Sequence, residues 1–239
     1  MKKALWIVSL LPLIATAVIM QFLPEKIPMH FDAAGNINRW GGRGESLIIP
    51  LMILAPALMW TLIARYYEKK AEKTSDEKEK NGLLSNAKMI LICGLAMTVV
   101  NAAIQGVLIY TAFTASRGRI TESPVDIGKI TALVLGAAFI VLGNLMTKTR
   151  NNGVIGVRTV WSRYNDNTWR KSNLFGGIAM MVCGVVTIVA TVLAGSGTAA
   201  ELLMVVWLPL MGAAVVIYSK KVYDDEKEAE KLKADRTEE

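Results

Sequence analysis

Six predominantly apolar runs, at residues 4–23, 47–64, 87–114, 128–147, 174–194 and 202–219, constrain this chain more than anything else in it. Each has 18 to 28 residues. At a 1.5 Å rise per residue, such lengths suit a helix crossing a hydrocarbon core roughly 30 Å thick. Backbone polar groups inside that core must bond within their own segment, so the runs predict helices. The expectation is an all-α, polytopic integral membrane protein with six transmembrane helices, both termini on one side. A hydrophobic content of 53% and charges gathered in blocks between the runs agree.

The first run follows Lys2 and Lys3, as a secretory signal would, and Ala15-Thr16-Ala17 is a faint cleavage-like string. It is longer than the roughly 7–15 apolar residues of a signal and ends in Gln21, Phe22, Leu23 and Pro24 rather than small residues. The reading is an uncleaved first span.

Orientation follows from the 27 Lys and Arg. With the N-terminus inside, 21 of them fall on inner segments, and only Lys26, Arg39, Arg43, Arg117, Arg119 and Lys129 lie outside. The chain thus divides into a two-span region at 1–64 with an outer motif loop at 24–46 and a charged cytoplasmic loop at 65–86. A four-span region at 87–219 follows, with an inner motif loop at 148–173, then a charged cytoplasmic tail at 220–239. The mixed charges of 65–88 at spacings of three and four predict solvated helical extensions of the second and third spans.

The net charge of +7 does not call for nucleic acid, because basic residues flanking apolar runs are explained by the membrane. Cys93 and Cys183 lie within apolar runs, away from any zinc or disulfide pattern, and read as packing residues.

Polar residues inside the spans form stripes. Gly94, Thr98, Asn101 and Gln105 share one face of the third span; Gly136, Gly143 and Asn144 mark the fourth; Gly177, Gly184, Thr187 and Thr191 mark the fifth. Small residues admit close helix approach and amides bond across helices, with a ligand path as the rival reading. No span carries a charge near its middle, which disfavours a transporter coupled through intramembrane carboxylates.

In the outer loop, Ile27, Met29 and Phe31 alternate with Pro28, His30 and Asp32, predicting a small extended, hairpin-like lid with His30 and Asp32 on one face. Trp40 suits the headgroup level. One histidine and one carboxylate fall short of a catalytic zinc set, and no HExxH or GxSxG string is present. No metal or cofactor is expected and enzyme activity is disfavoured, a membrane hydrolase using His30 being the residual alternative. In the inner loop, Asp166 and Asn167 are the N-cap candidates for the fifth span, and Arg158 has the chemistry to reach a carboxylate, a phosphate or a lipid headgroup, the plainer reading being a juxtamembrane arginine bonded to backbone carbonyls.

The inner residues Asn152, Gly156, Arg158, Thr159, Trp161, Trp169, Lys171 and Gly177 keep the order and spacing NxxxGxRTxW…WxKxxxxxG. In this the chain resembles the SdpI family, bacterial membrane proteins giving immunity to a secreted peptide toxin. Ile27, Pro28, His30, Gly35, Arg39, Trp40 and Gly41 are similar to the IPxHxxxxGxxxxWG pattern of a domain of unknown function that precedes the SdpI region in longer members. Many relatives carry a histidine where this chain has Asn173, so no role of that imidazole carries over.

The resemblance implies residence in the bacterial cytoplasmic membrane, a toxin arriving from outside onto Pro28, His30, Asp32, Gly35, Arg39 and Trp40, and signalling through a cytoplasmic repressor protein. Membrane lipids are the remaining partners expected. The rival from another class is a transporter or flippase for an amphipathic or lipid-like substrate, suggested by two three-span halves of opposite orientation, each with a motif loop after its first span.

Overall fold

The computed structural model describes residues 1–32, 36–115, 126–152, 154–194 and 197–238. Six helices carry the fold: α1 Lys2–Ile19, α2 Ile48–Glu72, α3 Glu77–Ala115, α4 Ile127–Met146, α5 Asp166–Ala194 and α6 Gly197–Glu238. All six are long and apolar enough to span a membrane. Between α1 and α2 lies an antiparallel hairpin of β1 Lys26–Phe31 and β2 Ile37–Gly42, flanked by short 3-10 helices at Met20–Phe22 and Arg43–Leu47.

Residue distribution in the bundle is that of a protein solvated by hydrocarbon. Leu11, Ile14, Val18, Val182, Val185 and Val189 face outward, while Ser9, Thr16, Thr61, Thr98, Thr187 and Thr191 are buried. Four of these hydroxyls are satisfied by the carbonyl one turn back: Ser9 to Leu5, Thr61 to Ala57, Thr98 to Gly94 and Thr191 to Thr187, at 2.6–2.9 Å. They therefore add small polar surface between helices without an unpaired donor.

Helices α1, α2 and α3 pack on one another, as do α4, α5 and α6, and the two sets meet chiefly through α3 and α4. The domain division expected at 64/65 follows the motifs, whereas packing groups α3 with α1 and α2. Helix lengths repeat between sets in the order short, medium, long, yet the extra turns lie at the N-terminus of α3 and the C-terminus of α6. Both extensions are the charged stretches at the basic end of the bundle, so solvent accounts for them without a repeat. The α2 and α3 extensions form as expected, joined by a turn at residues 73–76 and carrying a Lys70–Glu79 contact at 3.9 Å.

The tightest helix contact is between α4 and α5. A Cβ on Gly143 would lie 2.6 Å from the Gly177 carbonyl oxygen, and one on Gly177 would lie 2.6 Å from that of Gly143. Seven residues away, Gly184 and Gly136 repeat the arrangement, at 2.5 and 2.9 Å. The glycine stripes read from sequence thus face each other, and Gly177 serves helix contact. On α3, Gly94 gives way to the Trp60 ring of α2 in the same manner.

Candidate functional site

At one end of the bundle the hairpin lies over α3. Its apolar side, Leu23, Ile27 and Met29, packs with Ile19, Met20, Ala112 and Phe113. Pro28 is also buried, and irregular register around His30 breaks the simple alternation expected for the strand. The turn closes through Asp32, whose carboxylate accepts from the Asn36 backbone N–H at 2.8 Å and its side-chain amide at 3.0 Å. Gly35 lies outside the described residues.

His30 and Asp32 are both exposed, but they serve different partners: His30 Nδ1 sits 2.6 Å from Asn38 Oδ1, which makes that nitrogen the donor. Arg39 pairs with Glu45 at 2.5 Å, and Glu45 also accepts from the Gly42 N–H at 2.9 Å, fastening β2 to the following 3-10 helix. The Trp40 ring stays exposed. Among the described residues, no three His, Cys, Asp or Glu side chains converge as a metal set.

Beneath the hairpin, Gln105 is the pivot of this end. It is 3% exposed and donates to Thr16 Oγ1 of α1 and to the Ser46 carbonyl after the hairpin, both at 3.1 Å. One amide therefore ties α1, α3 and the outer loop together, and leaves its oxygen as an acceptor. Beside it is a cavity of about 840 Å³ between α1 and α3, lined by Leu11, Thr16, Phe22, Gln105, Ile109, Phe113 and their neighbours. Among the described residues, two helices and one 3-10 turn form its walls, which leaves the cleft open on the side between α1 and α3, where a bilayer would present acyl chains. Of the other stripe residues, Thr98 is buried, Asn101 bonds its own helix at the Met97 carbonyl, and Asn144 is exposed near the end of α4. The stripe thus supplies one interhelical amide rather than two, and none of these residues but Gln105 lines the cleft.

At the basic end, the loop after α4 folds by its own polar groups. Asn152 is buried and uses its whole amide: Nδ2 donates to the Arg150 and Ile155 carbonyls, and Oδ1 accepts from the Val154 and Ile155 N–H groups at 2.8 and 2.7 Å. Gly156 follows with φ +114°, where a Cβ would lie 2.2 Å from Asn173 Oδ1. That oxygen accepts from Val157 N–H at 2.7 Å, while Asn173 Nδ2 donates to the Trp169 carbonyl. Trp169, 2% exposed, donates its indole N–H to the Thr149 carbonyl at 3.0 Å. Ser162 closes the next turn by bonding Val157 and Thr159, and Thr159 Oγ1 lies 2.6 Å from Ser219 Oγ of α6.

The helix cap is Asn165, one residue before Asp166 and two before Asn167, the caps expected. Its side chain accepts from Thr168 N–H at 2.8 Å while Thr168 Oγ1 accepts from Asn165 N–H at 3.0 Å, a reciprocal box. Asn165 and Asn167 then donate to Glu226, and the Tyr164 hydroxyl donates to Glu230 at 2.6 Å. The Glu230 bond, which favours the neutral phenol, holds Tyr164 above the ordinary tyrosine pKa.

Opposite this, Val154 and Ile155 pack against the core of the first helix set, around Ala64, Leu83, Ala87 and Ile90. The loop is consequently a clasp between the two sets. Within it Asn152, Gly156, Thr159 and Trp169 hold the shape, whereas Arg158 and Lys171 are exposed and Trp161 is half-buried. Neither sequence periodicity nor charge marked Asn173, Ser162, Ser219 or Glu226 as members of this site; the polar identity of Ser219 at the end of an apolar run was the one available signal.

Residues 148–219 match the model of the SdpI/YfhL protein family, and residues 7–54 match a domain of unknown function, DUF1648. The chain is 26% identical over 220 residues to a protein named Immunity protein SdpI from Bacillus subtilis (strain 168), covering 91% of each. It is also 44% identical over 52 residues to an uncharacterized protein of Archaeoglobus fulgidus, 18% of this chain and 28% of that one. No solved structure matches it.

Proposed function

We propose, from the premise that residues 148–219 are an SdpI/YfhL family region in a multi-pass membrane protein, that this chain gives immunity to a secreted, membrane-active peptide. The hairpin end faces outward and the basic end, with both termini, faces the cytoplasm of a bacterial inner membrane, in keeping with 21 of 27 Lys and Arg at the latter. The observation that carries the reading is the 840 Å³ cleft between α1 and α3. It offers apolar walls to a peptide already partitioned into the outer leaflet, with the Gln105 amide as its polar anchor, while His30, Arg39 and Trp40 are exposed on the hairpin at the same end of the bundle.

The basic-end clasp supports a second stage. Val154 and Ile155 touch the first helix set, and Thr159, Asn165 and Asn167 touch α6, so a shift of α1 against α3 reaches the cytoplasmic face through packed groups. Signalling to a cytoplasmic repressor would use that route. This function requires no catalysis. Deleting the gene should sensitise its host to a co-produced or neighbouring peptide toxin, and re-expression should restore survival; unchanged sensitivity to every such peptide sinks the proposal.

A further inference from the structure

Two arginines of the clasp lack the partner that the rest of the loop possesses. Arg158 and Arg163 are exposed and, among the described residues, neither guanidinium takes part in a hydrogen bond or ion pair. The carboxylates that this loop binds are engaged elsewhere, Glu226 by Asn165 and Asn167, and Glu230 by Tyr164. The two cations flank a turn closed by Arg163 N–H donating to the Thr159 carbonyl at 3.3 Å, and by the Ser162–Thr159 bonds. Together with Thr159 and Val160 they line a recess of about 330 Å³. Their backbone positions are set before any ligand arrives.

The level of this recess is fixed by its register on α6. Thr159 meets Ser219, the last residue of an apolar run that gives way to Lys220 and Lys221. Tyr164 reaches Glu230, about 16 Å further along the helix, in the solvated stretch. Arg158 and Arg163 therefore stand where hydrocarbon gives way to headgroups. Between them Val160 is 81% exposed, an apolar side chain that gains by entering the acyl boundary.

We infer that this recess binds the phosphate of an anionic phospholipid, with Arg158 and Arg163 as its charged fork and Val160 inserted beside the lipid's glycerol and upper acyl chains. Paired guanidinium donors match phosphate oxygens in geometry as well as charge. The apolar tip distinguishes a lipid from free phosphate, which has nothing for Val160 to meet. Only the placement of the bundle in a membrane is needed; immunity is not.

The test uses the full-length protein in nanodiscs of phosphatidylcholine, alone or mixed with phosphatidylglycerol. Native mass spectrometry counts retained lipid, and tryptophan fluorescence follows thermal unfolding. Wild type should retain phosphatidylglycerol in preference and unfold at higher temperature in its presence. R158Q/R163Q should lose that preference by about tenfold or more while unfolding as wild type does in phosphatidylcholine alone. If the double variant does not fold, R163Q alone is read, since its side chain has no partner among the described residues.

R170Q/K171Q removes two other exposed charges of the same end and should keep the preference; an equal loss would reduce the effect to general surface charge and overturn the site. Inorganic phosphate that displaces the lipid, or that stabilises the protein equally in phosphatidylcholine, would overturn the lipid assignment.

Discussion

Replacing Gly184 with alanine tests whether the α4–α5 contact is set by backbone approach. The new Cβ would lie 2.5 Å from the Gly136 carbonyl oxygen and 2.9 Å from Ile140 Cγ1, where ordinary contact begins at 3.4 Å. Relief requires about 0.9 Å of separation, enough to forfeit a quarter to a half of the dispersion energy across the neighbouring contacts. Overpacking of this kind costs roughly 1–3 kcal/mol, offset in part by alanine's better helix propensity, near 1 kcal/mol. G177A presses on Gly143 in the same interface, so the double variant should cost less than the two single ones together: separation forced by one already relieves the other.

Unfolding of the purified protein by dodecyl sulfate in mixed micelles, followed by tryptophan fluorescence, gives the comparison. G212A is the control, because a Cβ there meets nothing within 4 Å. Stability of G184A equal to that of G212A would refute the close-approach reasoning.

Further substitutions probe the two ends. N173A removes the acceptor for Val157 N–H from a site 1% exposed and should cost about 1–3 kcal/mol, read by the same titration. G156A adds a strained positive φ and a Cβ 2.2 Å from Asn173 Oδ1, so it should be at least as damaging, by roughly 1–3 kcal/mol. Q105L releases Thr16 and Ser46 together, and hydrogen exchange should quicken in residues 26–42 while the clasp stays protected. Tyr164, assigned by Y164F in a carbon-labelled tyrosine NMR titration, should ionise above the ordinary tyrosine range, and E230Q should lower it. Because its folded pKa is raised, the Glu230 bond persists at neutral pH and is lost only as pH climbs through that higher value.

The six spans were legible because length and hydropathy together leave a membrane-buried chain almost no alternative to helix. The glycine stripes were legible too, but not that Gly143 would face Gly177: period gives a face, and the neighbour comes from the fold. The third-span stripe overstated its polar bridging, since Asn101 reaches only one turn back along its own helix. Asp166 and Asn167 qualify as caps by type, yet Asn165 takes the role because Thr168 can return its bond. Asn173 read only as a departure from a family histidine. Its amide in fact joins the loop to α5, and nothing local in the sequence marks a bond spanning 16 residues. Val154 and Ile155 sit in an irregular loop without period, so their role in joining the two helix sets was invisible.

Filling the α1–α3 cleft is the most direct test of the proposed immunity. Gly106 lines the cavity, and a Cβ there meets nothing within 4 Å, so G106F should place a ring in the cleft without straining the bundle. The measurement is the peptide concentration that halts growth of cells expressing wild type or G106F, at equal membrane levels and with matching unfolding curves. Engagement of the peptide in the cleft predicts that G106F cells are halted near the concentration that halts cells lacking the protein. Full protection by a well-folded G106F would contradict it.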